Sequence, residues 1–236
     1  MSLRQLFDKL RGSAAPTPPA NGLRDVLFGD LPLAEWPRPG SELHSIEPWT
    51  YFAAAQQALQ QHDAAEAEQQ LRRVLSTEGL EARHYLQAWQ ALRELGVQPP
   101  AEVAKQVLGV VVEVGMEQGL DLLVAYADGS ARYYNYSGAG VVWERPDDSL
   151  APLINRLLAA GQHVAAQIGP WEEPRLAAPD KGMARINMLT PSGLHFGQAP
   201  FEALWQDALG GPVLLAAQQL MQALIDKQEQ LSAHQK

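Results

Sequence analysis

The sequence has no cysteine, no long apolar run and no surplus of basic charge, and each absence removes a class of function. Without cysteine there is no disulfide framework, thiolate zinc site, iron–sulfur cluster or cysteine nucleophile. No stretch approaches the roughly 18 unbroken apolar residues of a membrane-spanning helix, and the N-terminus lacks the apolar core and cleavage box of a secretory signal; a cytoplasmic protein is expected. With 18 bases against 27 acids the formal net charge is −9. Nucleic acid is therefore not an expected partner, because phosphate contacts draw on a lysine and arginine surplus. None of the six histidines forms an i, i+4 pair or an HxH, and no carboxylate stands at metal-ligand spacing from two of them. Neither a metal nor a cofactor is expected.

What is present is 236 residues, 46% of them hydrophobic, enough to bury a core in one large domain or two small ones. Residues 1–20 read as a short amphipathic helix on a proline-rich tether. Leu3, Leu6, Phe7 and Leu10 fall at i, i+3, i+4 and i+7, one stripe of a helix, with Arg4, Lys9 and Arg11 on or beside the opposite face. Such a helix suits docking into a partner's groove, or weak peripheral contact with an anionic membrane through residues 1–11. Residues 21–48 carry four prolines and are expected as an extended arm, pinned by Phe28 and Trp36.

Residues 49–98 turn helical. The spacing predicts helices over about 48–61, 64–76 and 81–95, with Asp63 as N-cap of the second and Gly96 ending the third. The stretch ALQQHDAAEAEQQLRRVL (58–75), with small alanines facing a helix pair and an acid at the turn, resembles the turn and second helix of a tetratricopeptide repeat. The first helix lacks that family's usual glycine and tyrosine, and no second copy follows. The resemblance therefore implies one repeat-like hairpin, not a solenoid.

Residues 99–236 have a different texture. VLGVVVEV (107–114), LDLLVAYA (120–127), SARYYNYS (130–137) and GAGVVWE (138–144) read as a meander with a turn at Asp128-Gly129. A helix capped by Asp148 or Ser149 follows, its Leu150, Leu153, Ile154, Leu157, Leu158, Val164 and Ile168 inward, with Gly161 marking a close approach. Two strands (183–189 and 194–199) precede a short helix near 201–208 and a longer one at 212–227, with Leu215, Leu220, Leu224 and Ile225 inward. The fold class is α+β: an antiparallel sheet with helices packed on it, in an order that resembles profilin-like and longin-like modules.

Catalytic residues do not stand out. His195 in GLHFG is the one weak candidate base, with Asp128, Asp180 or Glu144 as its acid. YSGAG (136–140) is followed by a strand, not a helix, and reads as a tight turn. The surface clue is aromatic: strand alternation puts Tyr134 and Tyr136 on one face with Arg132, a composition enriched at protein interfaces. The expectation is a bacterial-type, non-enzymatic accessory or adaptor protein that binds another protein through Leu3, Leu6, Phe7, Leu10 and the Arg132–Tyr134–Tyr136 face. Alternatives are a small-molecule sensor with a pocket between the sheet and the 148–168 helix, or a hydrolase-type enzyme using His195.

Overall fold

The computed structural model describes residues 20–36 and 46–234. Leu3, Leu6, Phe7 and Leu10 lie outside the described residues. Helix α1 (Ala20–Phe28) leads into a 3-10 turn (Leu33–Glu35) and then α2 (Trp49–Gln60), α3 (Ala64–Ser76), α4 (Ala82–Glu94) and the short α5 (Ala101–Ala104). Four strands follow, β1 (Gly109–Met116), β2 (Gly119–Tyr126), β3 (Ala131–Tyr134) and β4 (Gly140–Trp143). The chain closes with α6 (Ala151–Gln167), β5 (Met183–Thr190), β6 (Gly193–Pro200), α7 (Phe201–Gln206) and α8 (Gly210–His234). The six strands form one antiparallel sheet in the order β4-β3-β2-β1-β5-β6, confirming the α+β class. No helix among the described residues is long and apolar enough to cross a membrane.

Strand alternation gives the sheet two apolar faces. Val110, Val112, Leu123, Tyr133, Ile186 and Met188 point toward α6 and α8 and share a core with Ile154, Leu157, Leu214 and Leu220. Gly161 permits that contact, because a Cβ there would stand 2.5 Å from Val110 Cγ2. Val111, Leu122, Val124, Tyr126 and Leu189 point the other way, against Leu27 and Phe28 of α1 and Ala82 and Leu86 of α4. The far side of α4 supplies Ala88, Trp89 and Leu92 to a third cluster with Phe52, Ala55, Ala67 and Leu71. Helix α4 is thus buried on two sides, which is why His84 and Gln87 are buried along with its apolar stripe.

Three sequence expectations differ from the structure. The arm expected over 21–48 begins as helix α1, because its prolines start only at Pro32 and leave Leu23, Leu27 and Phe28 free to pack in helical register; Gly29 ends the helix at φ +62°. Helix α6 is not capped by Asp148 or Ser149. It begins after Leu150, with Pro152 in its first turn where no N–H is needed, while Asp147 accepts from the Ser149 N–H. On α8, Leu215 is 48% exposed, because Val213, Leu214, Ala217 and Met221 form the buried stripe and Leu215 lies about 100° from Leu214. Asp63 does cap α3, accepting from the Glu66 N–H at 3.0 Å.

Candidate functional site

A charged residue stands inside the apolar strand β1. Glu113 is wholly buried on the α1 side of the sheet and is met by Arg24 of α1, Nε to Oε1 at 2.6 Å. Arg185 and Asn187, on the neighbouring strand β5, reach its other oxygen at 3.4 and 3.1 Å. Burial lowers the Arg185 guanidinium below its ordinary pKa, and the Glu113 charge works against that shift. Arg24 and Arg185 also donate to the carbonyls of Leu176 and Ala177, so the same cluster fastens the 169–182 loop over the sheet. That loop crosses β1 at Gly115, where a Cβ would fall 2.0 Å from the Asp180 carbonyl oxygen. Tyr126 completes the anchoring of α1 by donating to the Leu27 carbonyl at 2.5 Å.

The anchored helix and loop form two walls of a cleft of about 890 Å³. Its other walls are Leu86, Gln90, Arg93 and Glu94 of α4 and the β5–β6 hairpin from Leu189 to Leu194. The floor is apolar, from Leu86, Leu189 and Leu194; the rim is acidic. Five carboxylates line it (Asp25, Asp30, Glu94, Glu172 and Glu173) against the guanidiniums of Arg93 and Arg175. Both cations are engaged by the protein itself. Arg93 donates to the Pro191 carbonyl and to Gln90, and burial lowers its pKa. Arg175 bonds Asp30 and Asp25, each at 2.7 Å, with its guanidinium 4.4 Å from the centre of the Phe28 ring. Burial works to lower the Arg175 pKa, but Asp30 and then Asp25 outweigh it and raise it. Glu172 and Glu173 are exposed beside Trp171, whose ring meets Phe196 edge-on at 5.2 Å. The cleft therefore presents negative charge over an apolar floor, an arrangement suited to a cationic, partly apolar ligand.

The residues singled out in the sequence lie elsewhere. Arg132 is buried on β3 and pairs with Glu144 at 2.7 Å. Tyr134, on the same face, is half-buried against the α1–α4 cluster. Tyr136 lies beyond the end of β3, its N–H donating to Asp121 at 2.6 Å. His195 is wholly buried on β6; burial lowers its pKa, and its Nε2 lies 3.1 Å from the Ser192 hydroxyl, itself 2.9 Å from Thr190 Oγ1. Ser192 also lines the cleft, and a hydrogen bond with the Ile168 backbone opposes the effect of burial on His195. Asp128 instead accepts from the Ala82 and Ser130 N–H groups, and Glu144 is held by Arg132. No group of three residues able to hold a metal occurs among the described residues.

The cleft was missed because its walls come from four segments far apart in the chain. Glu113 did leave a signal, since a lone acid within a continuous apolar strand must find a partner when buried. Comparisons with protein-family models, curated proteins and solved structures find no match for the chain.

Proposed function

We propose that this is a non-enzymatic binding protein of the cytoplasm, an accessory or adaptor whose acidic cleft takes a basic segment of a partner protein. The observation that carries the reading is the charge of the cleft: Asp25 and Asp30 are paired with Arg175, which leaves Glu94, Glu172 and Glu173 on its lining against Arg93 alone. A ligand rich in lysine or arginine meets uncompensated charge at the rim and apolar surface beneath, a combination that gives specificity and fast association. Leu3, Leu6, Phe7 and Leu10 would supply a second contact, a helix seated in the partner's groove. The α2–α3 pair, tetratricopeptide-like in sequence, would offer a further surface.

Calorimetric titration with basic and acidic peptides of equal length tests this. The basic peptide should bind at least about tenfold more tightly, a difference of about 1.4 kcal/mol, and less tightly as salt rises. Glu172→Lys with Glu173→Lys should remove the preference. Equal binding of both peptides would sink the proposal. The cleft volume also suits a small cationic metabolite, which a thermal-shift screen of amines and guanidines would reveal as a rise in melting temperature.

A further inference from the structure

Arg24 and Arg175 are both held by carboxylates on the α1 side of the sheet, and they differ in access. Arg24 and Glu113 are sealed, their side chains 4% and 0% exposed. Arg175 sits in the cleft wall at 14%, with Asp25 at 43% and Asp30 at 27%. Arg175 has what a recognition site for guanidinium provides: two oxygens of Asp30 at 2.7 and 3.3 Å, one of Asp25 at 2.7 Å, and the Phe28 face at 4.4 Å.

We infer that Asp25, Asp30 and Phe28 form a receptor for an arginine of the partner protein, and that Arg175 is the chain's own place-holder in it. The inference rests on the cleft reading above and names what the cleft recognises. Exchange of one guanidinium for another leaves charge and donor number unchanged, so its cost is set by how firmly Arg175 is held. Asp25 and Asp30 are 43% and 27% exposed, so an incoming guanidinium can reach them while Arg175 is seated. Residues 171–174 and Leu176 are exposed, and the bonds that hold this segment, from Trp171 to the Pro174 and Leu194 carbonyls, do not run through the Arg175 side chain, so its withdrawal leaves them in place. The carbonyls of Leu176 and Ala177 stay bonded to Arg24 and Arg185, and the loop keeps its anchor while Arg175 swings out. Charge favours the incoming group, because Glu172 and Glu173 at the rim add attraction for a multiply basic segment. Lysine would not substitute, since an ammonium cannot match the planar fork that two carboxylates and a ring accept. While it is seated, Arg175 competes at the high effective concentration of a tethered ligand and weakens the apparent affinity for the partner.

The test is calorimetry with the full chain, using acetyl-Gly-Arg-Gly-Arg-Gly-amide and its lysine counterpart as probes. Arg175→Gln should bind the arginine peptide at least about tenfold more tightly than the unaltered protein, as expected when a competing group of effective concentration well above its site constant is removed. The lysine peptide should gain little, and adding Asp25→Asn and Asp30→Asn should abolish the gain. Should Arg175→Gln fail to fold, the Arg175 side-chain Nε–Hε resonance of the unaltered protein decides instead: it should shift as the arginine peptide is added, and an unmoved resonance overturns the inference. If both peptides bind equally and Arg175→Gln brings no gain, the exchange is overturned while the acidic cleft stands. If neither binds, both fail. Self-association of Arg175→Gln in sedimentation without peptide would assign the site to a second copy, and would overturn the partner assignment.

Discussion

Arg24 and Glu113 meet across 89 positions of sequence, Nε to Oε1 at 2.6 Å, with both side chains sealed from water. The pair joins the first described helix to the central strand of the sheet. Removing one partner of such a pair leaves a desolvated charge, at a cost of about 3–5 kcal/mol. Glu113→Ala strands two guanidiniums at once, so its loss in urea denaturation should lie at the upper end of that range. Glu113→Gln keeps an acceptor and should cost less. A Glu113→Ala protein as stable as the parent would show that the cluster contributes nothing.

Gly161 should resist even alanine. An added Cβ would overlap Val110 Cγ2 at 2.5 Å and press on Met188 Cγ at 3.3 Å. Overpacking of this kind costs about 1–3 kcal/mol, more than the roughly 0.5–1 kcal/mol alanine gains over glycine within a helix. Gly161→Ala should therefore lower the melting temperature alone and raise it in a Val110→Ala background. A stabilised single variant would contradict the packing.

Asp121 should make stability depend on pH. Its carboxyl faces the α8 side of the sheet beside Val114, Tyr133 and Met221; one oxygen accepts the Tyr136 N–H and the other has no partner. Burial pushes its pKa up to about 7, with the Tyr136 hydrogen bond opposing. The folded protein then binds more protons than the unfolded chain between about pH 4 and 7. This group's contribution is full below pH 4, is lost as pH rises to 7, and is flat above, by at most about 4 kcal/mol. Subtracting the pH profile of Asp121→Asn from that of the parent isolates the effect. A flat difference would refute it.

Asp63 caps α3 from an exposed position, so Asp63→Ala should cost about 1 kcal/mol in a thermal or urea melt, and Asp63→Asn much less. Equal losses from the two substitutions would argue that the carboxylate charge, not the accepted hydrogen bond, matters there.

Helix α3 was legible to the residue because its cap, its apolar period and its end are all local in sequence. The β2–β3 turn was legible for the same reason, since Asp128-Gly129 contains the acceptor for Ser130 and the positive φ of +86°. Helix α1 was hidden by the prolines that follow it. Leu215 misled because size alone suggested burial, whereas Ala217 and Met221 complete the inward stripe of α8. Of the cleft almost nothing could be read: Asp25, Glu94, Glu172 and Ser192 become neighbours only through the packing of α1, α4 and the 169–182 loop on one sheet face.

Helix α4 has a consequence for dividing the chain. Ala82 and Leu86 close the same cluster as Leu122, Val124 and Tyr126, while Ala88 and Leu92 on its far side close the one around Phe52 and Leu71. A cut at 98/99 would take α1 and α4 away from the sheet and leave Val111, Leu122, Val124, Tyr126 and Leu189 open to water. The severed C-terminal piece should be sticky and prone to self-assembly, and the N-terminal piece should lose the lower half of its support. The two halves are better tested as one cooperative unit than as separable parts, and a single unfolding transition followed by both tryptophan emission and backbone dichroism is the expected result.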